Sequence, residues 1–157
     1  MKSGDVFFLE TGTVHAIGAG LLVAEIQQTS DITYRLYDFD RVDVSGNTRE
    51  LHVDLALEAI NYNNVETKKE YTAKINSSNK IVDCPYFTTY FIPLDGEISI
   101  SKTGKSFTVF MCTEGTFEIE YNNLKTQYKK GDTVLIPAAM NTFILCGKAS
   151  ILEIYIS

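Results

Sequence analysis

The sequence has few of the residues from which small metal-binding and disulfide-linked scaffolds are built. It contains no tryptophan, only two histidines and only three cysteines among 157 residues. Cys84, Cys112 and Cys146 lie far apart and form no Cys-x-x-Cys motif, which argues against a zinc ribbon or a disulfide framework. Because such isolated thiols are typical of a reducing compartment, we predict a cytoplasmic protein with reduced, mostly buried cysteines.

An excess of positive charge is also absent. Lysine and arginine together number 14 against 20 acidic residues, which gives a formal net charge of −6. Binding to phosphodiester backbones or to anionic lipid depends on clustered cations, so we expect no nucleic-acid partner and no membrane partner. The longest apolar run, residues 16–24, is about half the length of a membrane span. The first residues also lack the pattern of a secretory signal.

What the chain has instead is a series of short runs rich in β-branched and aromatic residues. Glycine, asparagine and aspartate separate these runs, which is typical of an antiparallel all-β sandwich or barrel. Glu114-Gly115 and Asn122-Asn123 have the residue types of hairpin turns. The runs are VFFLE, LLVAEIQQ, TYRLY, YFTTYFI, EISIS, FTVFMC, TFEIEY, TVLIP, TFILC and ILEIYI.

One segment has a helical pattern. In residues 47–60, NTRELHVDLALEAI, a capping residue precedes an acidic first turn, and Leu51, Leu55 and Ile60 lie on roughly one stripe. The polar, turn-rich residues that follow predict a connector up to residue 80. We therefore divide the chain into part of a β module at 1–45, a helix and connector at 46–80, and a second β barrel at 81–157.

An internal repeat relates the two β modules. GDVFFLETGTVHAIG, which begins at Gly4, aligns with GDTVLIPAAMNTFIL, which begins at Gly131. Each copy contains Gly-Asp, an apolar strand, a short bend and a second strand, and the alignment places His15 opposite Thr142. Two copies of one supersecondary unit predict two related modules, of which the second lacks the histidine.

The two histidines have different surroundings. His52 lies in the predicted helix beside charged residues, so a solvated helix histidine is the simpler interpretation. His15 lies at the end of a predicted strand in an apolar stretch, where its imidazole needs a partner. A hydrogen-bonded core histidine and a functional group are both open at this point.

A predicted hairpin supplies a second candidate site. Glu25 and Arg35 lie on the runs LLVAEIQQ and TYRLY, which a turn near residues 29–31 would join. Strand alternation places Glu25 and Gln27 on the same face as Leu21 and Val23, which indicates that this face points inward. The carboxylate, amide and guanidinium would then form a polar pocket. The alternative is an exposed hairpin with an ordinary surface ion pair.

Other motifs are weaker. Asp38, Asp40 and Asp43 lack the glycine and terminal glutamate of a calcium loop, so we predict a solvated acidic turn. The sequence contains no glycine-rich phosphate loop and no serine nucleophile motif.

Taken as one string, residues 4–41 resemble the signature region of the type I phosphomannose isomerases. The string is GDVFFLETGTVHAIGAGLLVAEIQQTSDITYRLYDFDR, and the resemblance continues in NTRELHVDLALEAI, CPYFTTYF and KGDTVLIPA. These enzymes are zinc-dependent members of the cupin superfamily that interconvert mannose 6-phosphate and fructose 6-phosphate. The resemblance implies an all-β, cupin-like jelly-roll barrel with one short helix, preceded by the second half of another cupin module. It is to the C-terminal half of a short bacterial form.

The resemblance also implies roles for individual residues. His15, in GTVHAIG, matches the last zinc ligand of the family, and Arg35, in TSDITYR, matches the catalytic arginine. Glu25 matches an acidic residue of the same pocket, which Gln27 would share as a substrate-binding residue. Arg41 falls where the family has a basic residue near the sugar phosphate.

The chemistry of the family explains these residue types. Moving a carbonyl from C1 to C2 requires removal of a proton beside the carbonyl and creates negative charge on oxygen. A metal ion or a fixed guanidinium stabilises that charge, which is the role expected for Arg35. A carboxylate moves the proton between the two carbons, which is the role expected for Glu25.

The number of metal ligands restricts what this chain does alone. Catalytic zinc takes three or more protein ligands, and the family's other ligands, a Gln-x-His pair and a glutamate, precede the region that this chain matches. We therefore expect zinc in the intact enzyme, but weak zinc binding and little isomerase activity in the isolated chain. Unpaired strand edges would favour a homodimer. The competing hypothesis is a non-catalytic cupin module that binds a sugar or a protein partner.

Overall fold

A computed structural model describes residues 1–30 and 32–156 of the chain. The chain forms two compact units, one made of Met1–Val6 with Lys68–Ser157 and the other of Phe7–Thr67. We call them the barrel unit and the loop unit and describe each by itself. The predicted boundaries at residues 45 and 80 separate structural modules, whereas the two units are defined by contacts within the chain. These boundaries therefore stay predictions.

The barrel unit is an antiparallel β structure, as the sequence predicts. The strands are β1 (Val6–Phe7), β2 (Lys68–Lys69), β3 (Asn79–Asp83), β4 (Thr88–Ser101), β5 (Thr108–Tyr121), β6 (Leu124–Lys129), β7 (Thr133–Ile136) and β8 (Thr142–Tyr155). The main sheet has six strands: five follow the order β3-β4-β8-β5-β6, and β7 also pairs with β5. A separate two-stranded sheet contains β1 and β2.

Three of these strands are long and supply most of the core. β4, β5 and β8 each contain 14 residues, and both halves of each strand contribute side chains to a single buried cluster. In β4 and β8 the buried side chains keep one alternation throughout, whereas in β5 they change from even to odd positions between Cys112 and Phe117. The fully buried members of the cluster include Ile92, Phe110, Cys112, Phe117, Phe143, Leu145 and Ile151.

The hairpin turn predicted at Glu114-Gly115 is wrong, because β5 runs through this position without reversing. The strand instead carries a bulge between Cys112 and Glu114, and Gly115 has a φ of +76°. A Cβ at Gly115 would lie 2.2 Å from the carbonyl oxygen of Lys148, so only glycine allows the strands this close. Gly115 does mark a special backbone conformation, but this conformation belongs to a bulge within one strand rather than to a hairpin turn.

The turn predicted at Asn122-Asn123 is confirmed. Tyr121 of β5 pairs with Leu124 of β6, and the two asparagines between them have φ angles of +50° and +63°. Two consecutive residues with positive φ form the tight turn that matches the twist of an antiparallel hairpin.

The internal repeat has a structural counterpart in two turns. The N–H of Asp5 donates to the carbonyl of Lys2 at 3.1 Å, and the N–H of Lys2 donates to the Asp5 carboxylate at 2.8 Å. The corresponding bonds between Asp132 and Lys129 are both 2.9 Å.

The second turn of the repeat also recurs. Thr13 N–H donates to the carbonyl of Glu10, and Met140 N–H donates to that of Pro137, in both cases at 3.0 Å. Both turns keep the predicted alignment, which confirms that the chain contains two copies of one local structure.

The core of the barrel unit contains an ion pair that the sequence did not reveal. Glu153 is 3% exposed and contacts the ammonium group of Lys102, which is 18% exposed, while Ser78 Oγ donates to the same carboxylate at 2.7 Å. Lys102 Nζ also lies 5.2 Å from the ring centre of Tyr155 and 5.8 Å from that of Phe110. Burial lowers the pKa of Lys102 to about 8.

The loop unit differs from the prediction. Its helix, α1 (Val53–Ala59), confirms a helix in this region but begins six residues later than predicted. Residues 47–51 make turn and side-chain contacts instead, described below. Among the described residues of this unit only Asp38 and Ala56 are buried.

The strands predicted for LLVAEIQQ and TYRLY are not formed in the described part of the loop unit, where β1 ends at Phe7 and one isolated bridge joins Val42 to Thr48. A strand is stable only when a neighbour completes its hydrogen-bond ladder, and among residues 1–30 and 32–156 no such neighbour lies beside these segments. Both segments therefore contain strand-forming residue types, but these residue types did not predict the conformation of the segments.

The three cysteines are free, as predicted, although only Cys112 is fully buried. Within residues 1–30 and 32–156, none of the helical structure has the length and apolar character of a transmembrane segment.

Candidate functional site

All five predicted site residues lie in the loop unit. His15 follows the turn from Glu10 to Thr13, in which Gly12 has a φ of +87°. A Cβ at Gly12 would lie 2.6 Å from the carbonyl oxygen of Ala59, so this position requires glycine. Glu10-Thr11-Gly12 thus forms a closed turn directly before His15.

The side chain of His15 is exposed and has one oriented ring nitrogen. Its Nδ1 lies 2.8 Å from the carbonyl oxygen of Thr13, which accepts a hydrogen bond and therefore assigns the ring proton to Nδ1. In the neutral ring, Nε2 is then the nitrogen with the free lone pair. Histidine ligands of zinc are commonly oriented in this way, by a backbone carbonyl on the nitrogen opposite the metal.

The described residues do not provide a complete zinc site. Within residues 1–30 and 32–156 no group of three histidine, cysteine, aspartate or glutamate side chains lies close enough together to hold a metal ion. His15 thus has the chemistry of one zinc ligand, but the described residues do not supply the three protein ligands that catalytic zinc requires.

Arg35 is held from three directions by two neighbouring residues. Its guanidinium Nη1 donates to the carbonyl of Glu50 at 2.9 Å. Its backbone N–H donates to Nδ1 of His52 at 3.2 Å, and its carbonyl accepts the backbone N–H of His52 at 2.8 Å. The half-buried backbone of Arg35 is therefore fixed where the chain enters α1.

The interpretation of His52 as a solvated helix histidine is wrong. His52 is half-buried at the N-cap of α1, where its carbonyl accepts the N–H of Ala56, rather than solvated on the face of a helix. Because Nδ1 accepts a hydrogen bond from Arg35, the proton is on Nε2, which faces the Glu50 carboxylate at 3.8 Å. No periodicity argument could reveal this contact, since it depends on a loop 17 residues away.

The predicted pocket of Glu25, Gln27 and Arg35 is not assembled. The side chains of Glu25 and Gln27 are exposed, and no hydrogen bond or ion pair joins Glu25 to Arg35 among the described contacts. Leu21 and Val23, which were expected to mark an inward face, are 43% and 48% exposed. The inward face was wrong because the strands that would define it have no partners.

The solvated acidic turn predicted at Asp38 is also wrong. Asp38 is 7% exposed, and its carboxylate accepts hydrogen bonds from two arginines. Arg49 donates from Nε at 2.7 Å and from Nη2 at 2.5 Å, and Arg41 donates from Nη2 at 2.5 Å. These bonds, those of Arg49 first, hold the pKa of Asp38 well below its ordinary value of 3.8.

A tight loop brings Arg49 back beside Arg41. The carboxylate of Asp43 accepts the backbone N–H groups of Asn47 and Ser45 at 2.9 and 2.8 Å, and these bonds, that of Asn47 first, lower the pKa of Asp43. Val42 and Thr48 then form an antiparallel bridge. The chain reverses direction between the two arginines, so both reach the same carboxylate. The local signal that could have predicted this reversal is Asp43 followed, three and four positions later, by Gly46 and Asn47.

Comparison with known proteins then identifies the family. A family model described as "Mannose-6-phosphate isomerase, cupin domain" matches residues 77–156. This range includes every strand from β3 to β8. The chain belongs to the mannose-6-phosphate isomerase cupin-domain family. The cupin-like fold expected from the resemblance is thereby confirmed.

Individual relatives extend the similarity beyond the cupin domain. Mannose-6-phosphate isomerase ManA of Bacillus subtilis is 38% identical over 152 residues, which are 95% of this chain and 48% of that protein. Mannose-6-phosphate isomerase of Streptococcus mutans is 29% identical over 97% of this chain and 48% of its own length. The chain therefore spans about half the length of the curated relatives it matches.

A solved structure agrees with these relatives. The crystal structure of mannose 6-phosphate isomerase from Bacillus subtilis superposes with a TM-score of 0.69 at 30% identity, over 80% of this chain and 40% of that one.

Proposed function

We propose that this chain is the C-terminal half of a zinc-dependent mannose-6-phosphate isomerase and that it has little activity alone. The observation that supports the proposal most strongly is the asymmetry of the match to ManA, which includes 95% of this chain but 48% of ManA. The orientation of His15 by Thr13 supports it as well, because one suitably oriented zinc ligand is what the C-terminal half of this family contributes.

In the intact protein the residues of this chain bind and orient the sugar phosphate and move a proton. Arg35, whose guanidinium is anchored by the Glu50 carbonyl, stabilises negative charge on the substrate oxygens. Glu25 transfers the proton between C1 and C2, and Gln27 and Arg41 contact the substrate. His15 is one of the zinc ligands, and the bound zinc supplies further charge stabilisation. A cytoplasmic location, which the three free cysteines fit, belongs to the same proposal.

The exposed surface of the loop unit supports the need for the other half. Leu22, in the strand-forming run LLVAEIQQ, is 80% exposed, and Leu21 and Val23 beside it are 43% and 48% exposed. Strands from the preceding half of the protein would pair with this run, turn Glu25 toward Arg35 and bury the apolar side chains. A homodimer through strand edges would cover the same surface and stays a prediction.

The test is a pair of measurements on the chain alone and on a fusion. The isolated chain should contain substoichiometric zinc and almost no activity in a coupled assay with mannose 6-phosphate. A fusion of this full chain to the part of ManA that it does not match should regain stoichiometric zinc and isomerase activity. In that fusion His15→Ala should abolish zinc retention, and Arg35→Ala should lower kcat far more than it raises KM. Lys148→Gln, a change at an exposed ion pair, is the control that should alter neither.

Two results would contradict the proposal. Stoichiometric zinc and full turnover in the isolated chain would show that the ligand count is wrong. A folded fusion that retains zinc but has no activity would favour the second candidate, a non-catalytic cupin module that binds a sugar or a protein partner. The observation that favours this second candidate is the absence of a three-ligand cluster among the described residues.

A further inference from the structure

The distribution of arginine in this chain is uneven. All three arginines lie within residues 35–49, whereas every other strong cation is lysine, and no lysine occurs between Lys2 and Lys68. The loop unit thus carries guanidinium groups only. Arginine replaces lysine where a planar group must bind an oxyanion through two parallel hydrogen bonds, so this segment has the chemistry of an anion site within an acidic protein.

Two of these guanidinium groups share one buried carboxylate. Both Nη2 atoms lie 2.5 Å from Oδ1 of Asp38, so the two atoms are no more than about 5 Å apart. Arg41 adds a bond from Nε to the Asp38 carbonyl at 3.3 Å, and Arg49 adds one from Nε to Oδ2 at 2.7 Å. Each guanidinium is therefore held along its Nε–Nη2 edge.

The opposite edges of both groups point away from these bonds. Neither Nη1 donates a hydrogen bond in the described part of the chain, and the side chains of Arg41 and Arg49 are 64% and 52% exposed. The two guanidinium groups and the Asp38 carboxylate together carry a charge of +1, and the carboxylates of Asp40 and Asp43 lie beside Arg41 in the sequence. Such an arrangement offers paired, oriented donors to an anion with several oxygens.

We propose that Arg49 and Asp38 complete, together with Arg41, a binding site for the phosphate group of a phosphate monoester. The inference rests on the proposed function, in which Arg41 is a substrate-binding residue. Arg49 is a further binding residue, and Asp38 is a positioning residue that aligns the two guanidinium groups. A terminal phosphate with three oxygens accepts from the Nη1 edge of each arginine.

The same short segment also connects this site to Arg35. Arg49 binds Asp38, the carbonyl of the next residue, Glu50, accepts from Arg35, and the ring of His52 accepts from the Arg35 backbone. Residues 49–52 therefore fix both the phosphate-binding pair and the guanidinium assigned to charge stabilisation. A bound sugar phosphate would be held at its phosphate end by one part of the segment and met by Arg35 at another.

The experiment is an NMR titration of the full chain with inorganic phosphate at constant ionic strength, observing the arginine Nε–H signals. The signals of Arg41 and Arg49 should shift saturably. Arg49→Lys keeps the charge but not the paired donors, and it should raise the apparent Kd for phosphate about tenfold. Lys148→Gln removes one exposed charge in the barrel unit and should leave the Kd unchanged.

Asp38→Asn separates a built site from diffuse attraction. Removing a negative charge strengthens phosphate binding if net charge alone attracts the anion, whereas it weakens binding if Asp38 aligns the arginines. Weaker binding in both Asp38→Asn and Arg49→Lys supports the proposal. Unchanged or tighter binding in either variant overturns it, as does the absence of saturation in the unaltered chain. Arg49→Lys decides the question if Asp38→Asn does not fold, because Arg49 is half exposed.

The readout does not depend on isomerase activity. If the fusion to ManA is active but the isolated chain does not bind phosphate, this inference fails and the proposed function stands. If phosphate binds as expected but the zinc-loaded fusion is inactive, the proposed function fails and the anion site stands.

Discussion

At the scale of single residues, the most informative feature is a pair of buried carboxylates, each of which contacts one or two cations. Glu153 with Lys102 in the barrel unit and Asp38 with two arginines in the loop unit are both ion pairs with at least one buried partner. Neither was predicted, because a sequence shows the charge of a residue but not which distant residue neutralises it. Their energetic consequences differ, since the environments differ.

The Lys102–Glu153 pair should be costly to break and cheap to replace. Lys102→Met leaves a buried carboxylate without its partner and should lower the free energy of unfolding by about 3–5 kcal/mol. The double variant Lys102→Met/Glu153→Leu should recover most of this loss, because burial already opposes the charge on Lys102, as its lowered pKa indicates. Urea unfolding of both variants measures the difference.

The exposed pair of Lys148 with Asp95, at 3.0 Å, supplies the control for this experiment. Lys148→Met should change the free energy of unfolding by about 1 kcal/mol or less. A double variant at the buried site that is as unstable as Lys102→Met alone would contradict the explanation.

The Asp38 carboxylate should respond to acid unlike an ordinary aspartate. Hydrogen bonds from Arg49 and Arg41 lower its pKa in the folded chain below the ordinary 3.8. The stabilisation that results is fully present above this ordinary value and is lost as the pH falls below it. A ¹³C NMR titration should therefore find the Asp38 carboxylate still ionised at a pH where a free aspartate is mostly protonated.

Unfolding measurements check the same linkage. The stability difference between the unaltered chain and Asp38→Asn should be largest near neutral pH and should shrink in strong acid. Asp40→Asn, at an exposed carboxylate that accepts only a 3.3 Å bond from Tyr37, is the matched control. An Asp38 signal that titrates like that of a free aspartate would contradict the assignment.

At the scale of elements, glycine decides how the long strands are used. β5 passes through Gly115 with positive φ and continues as a strand, so one element contributes side chains from both of its halves to one core. The sequence predicted two short strands here and a turn between them. The strand-forming residue types and the special role of the glycine were predicted correctly, but the strand length was not, because local residue types do not distinguish a reversal from a bulge.

Gly115→Ala should destabilise the barrel unit strongly. A Cβ at this position would lie 2.2 Å from a backbone carbonyl oxygen that has no freedom to move away, and φ would be strained in addition. The strain alone is worth about 1–3 kcal/mol, and the contact should add to it. Thermal and urea unfolding measure the loss.

Gly96→Ala is the matched control for Gly115→Ala. Gly96 also has a positive φ, at +105°, but a Cβ there would meet nothing within 4 Å. The difference between the two variants isolates the close approach of the strands from the backbone strain. Equal losses would show that the contact with Lys148 does not matter.

At the scale of the whole molecule, the sequence predicted the barrel unit better than the loop unit. In the barrel unit, alternation, turn residues and the family resemblance point to one structure, and the predicted runs lie in strands, although three pairs of runs are continuous in β4, β5 and β8. In the described part of the loop unit, the runs LLVAEIQQ and TYRLY form no strands, and Glu25 and Gln27 are exposed. Local pattern therefore predicts strands well where neighbouring strands complete the hydrogen-bond ladder and poorly where none does.

The repeated turn gives this molecule an internal reference. Lys2 and Lys129 each donate a backbone hydrogen bond to the aspartate three positions later, at 2.8 and 2.9 Å, in two different surroundings. Because the local geometry is shared, the backbone amide resonances of these two lysines report the same hydrogen bond in two different environments. A solvent change that acts on the turn itself should move both signals together. A perturbation that moves only one of them must originate in that copy's own neighbours.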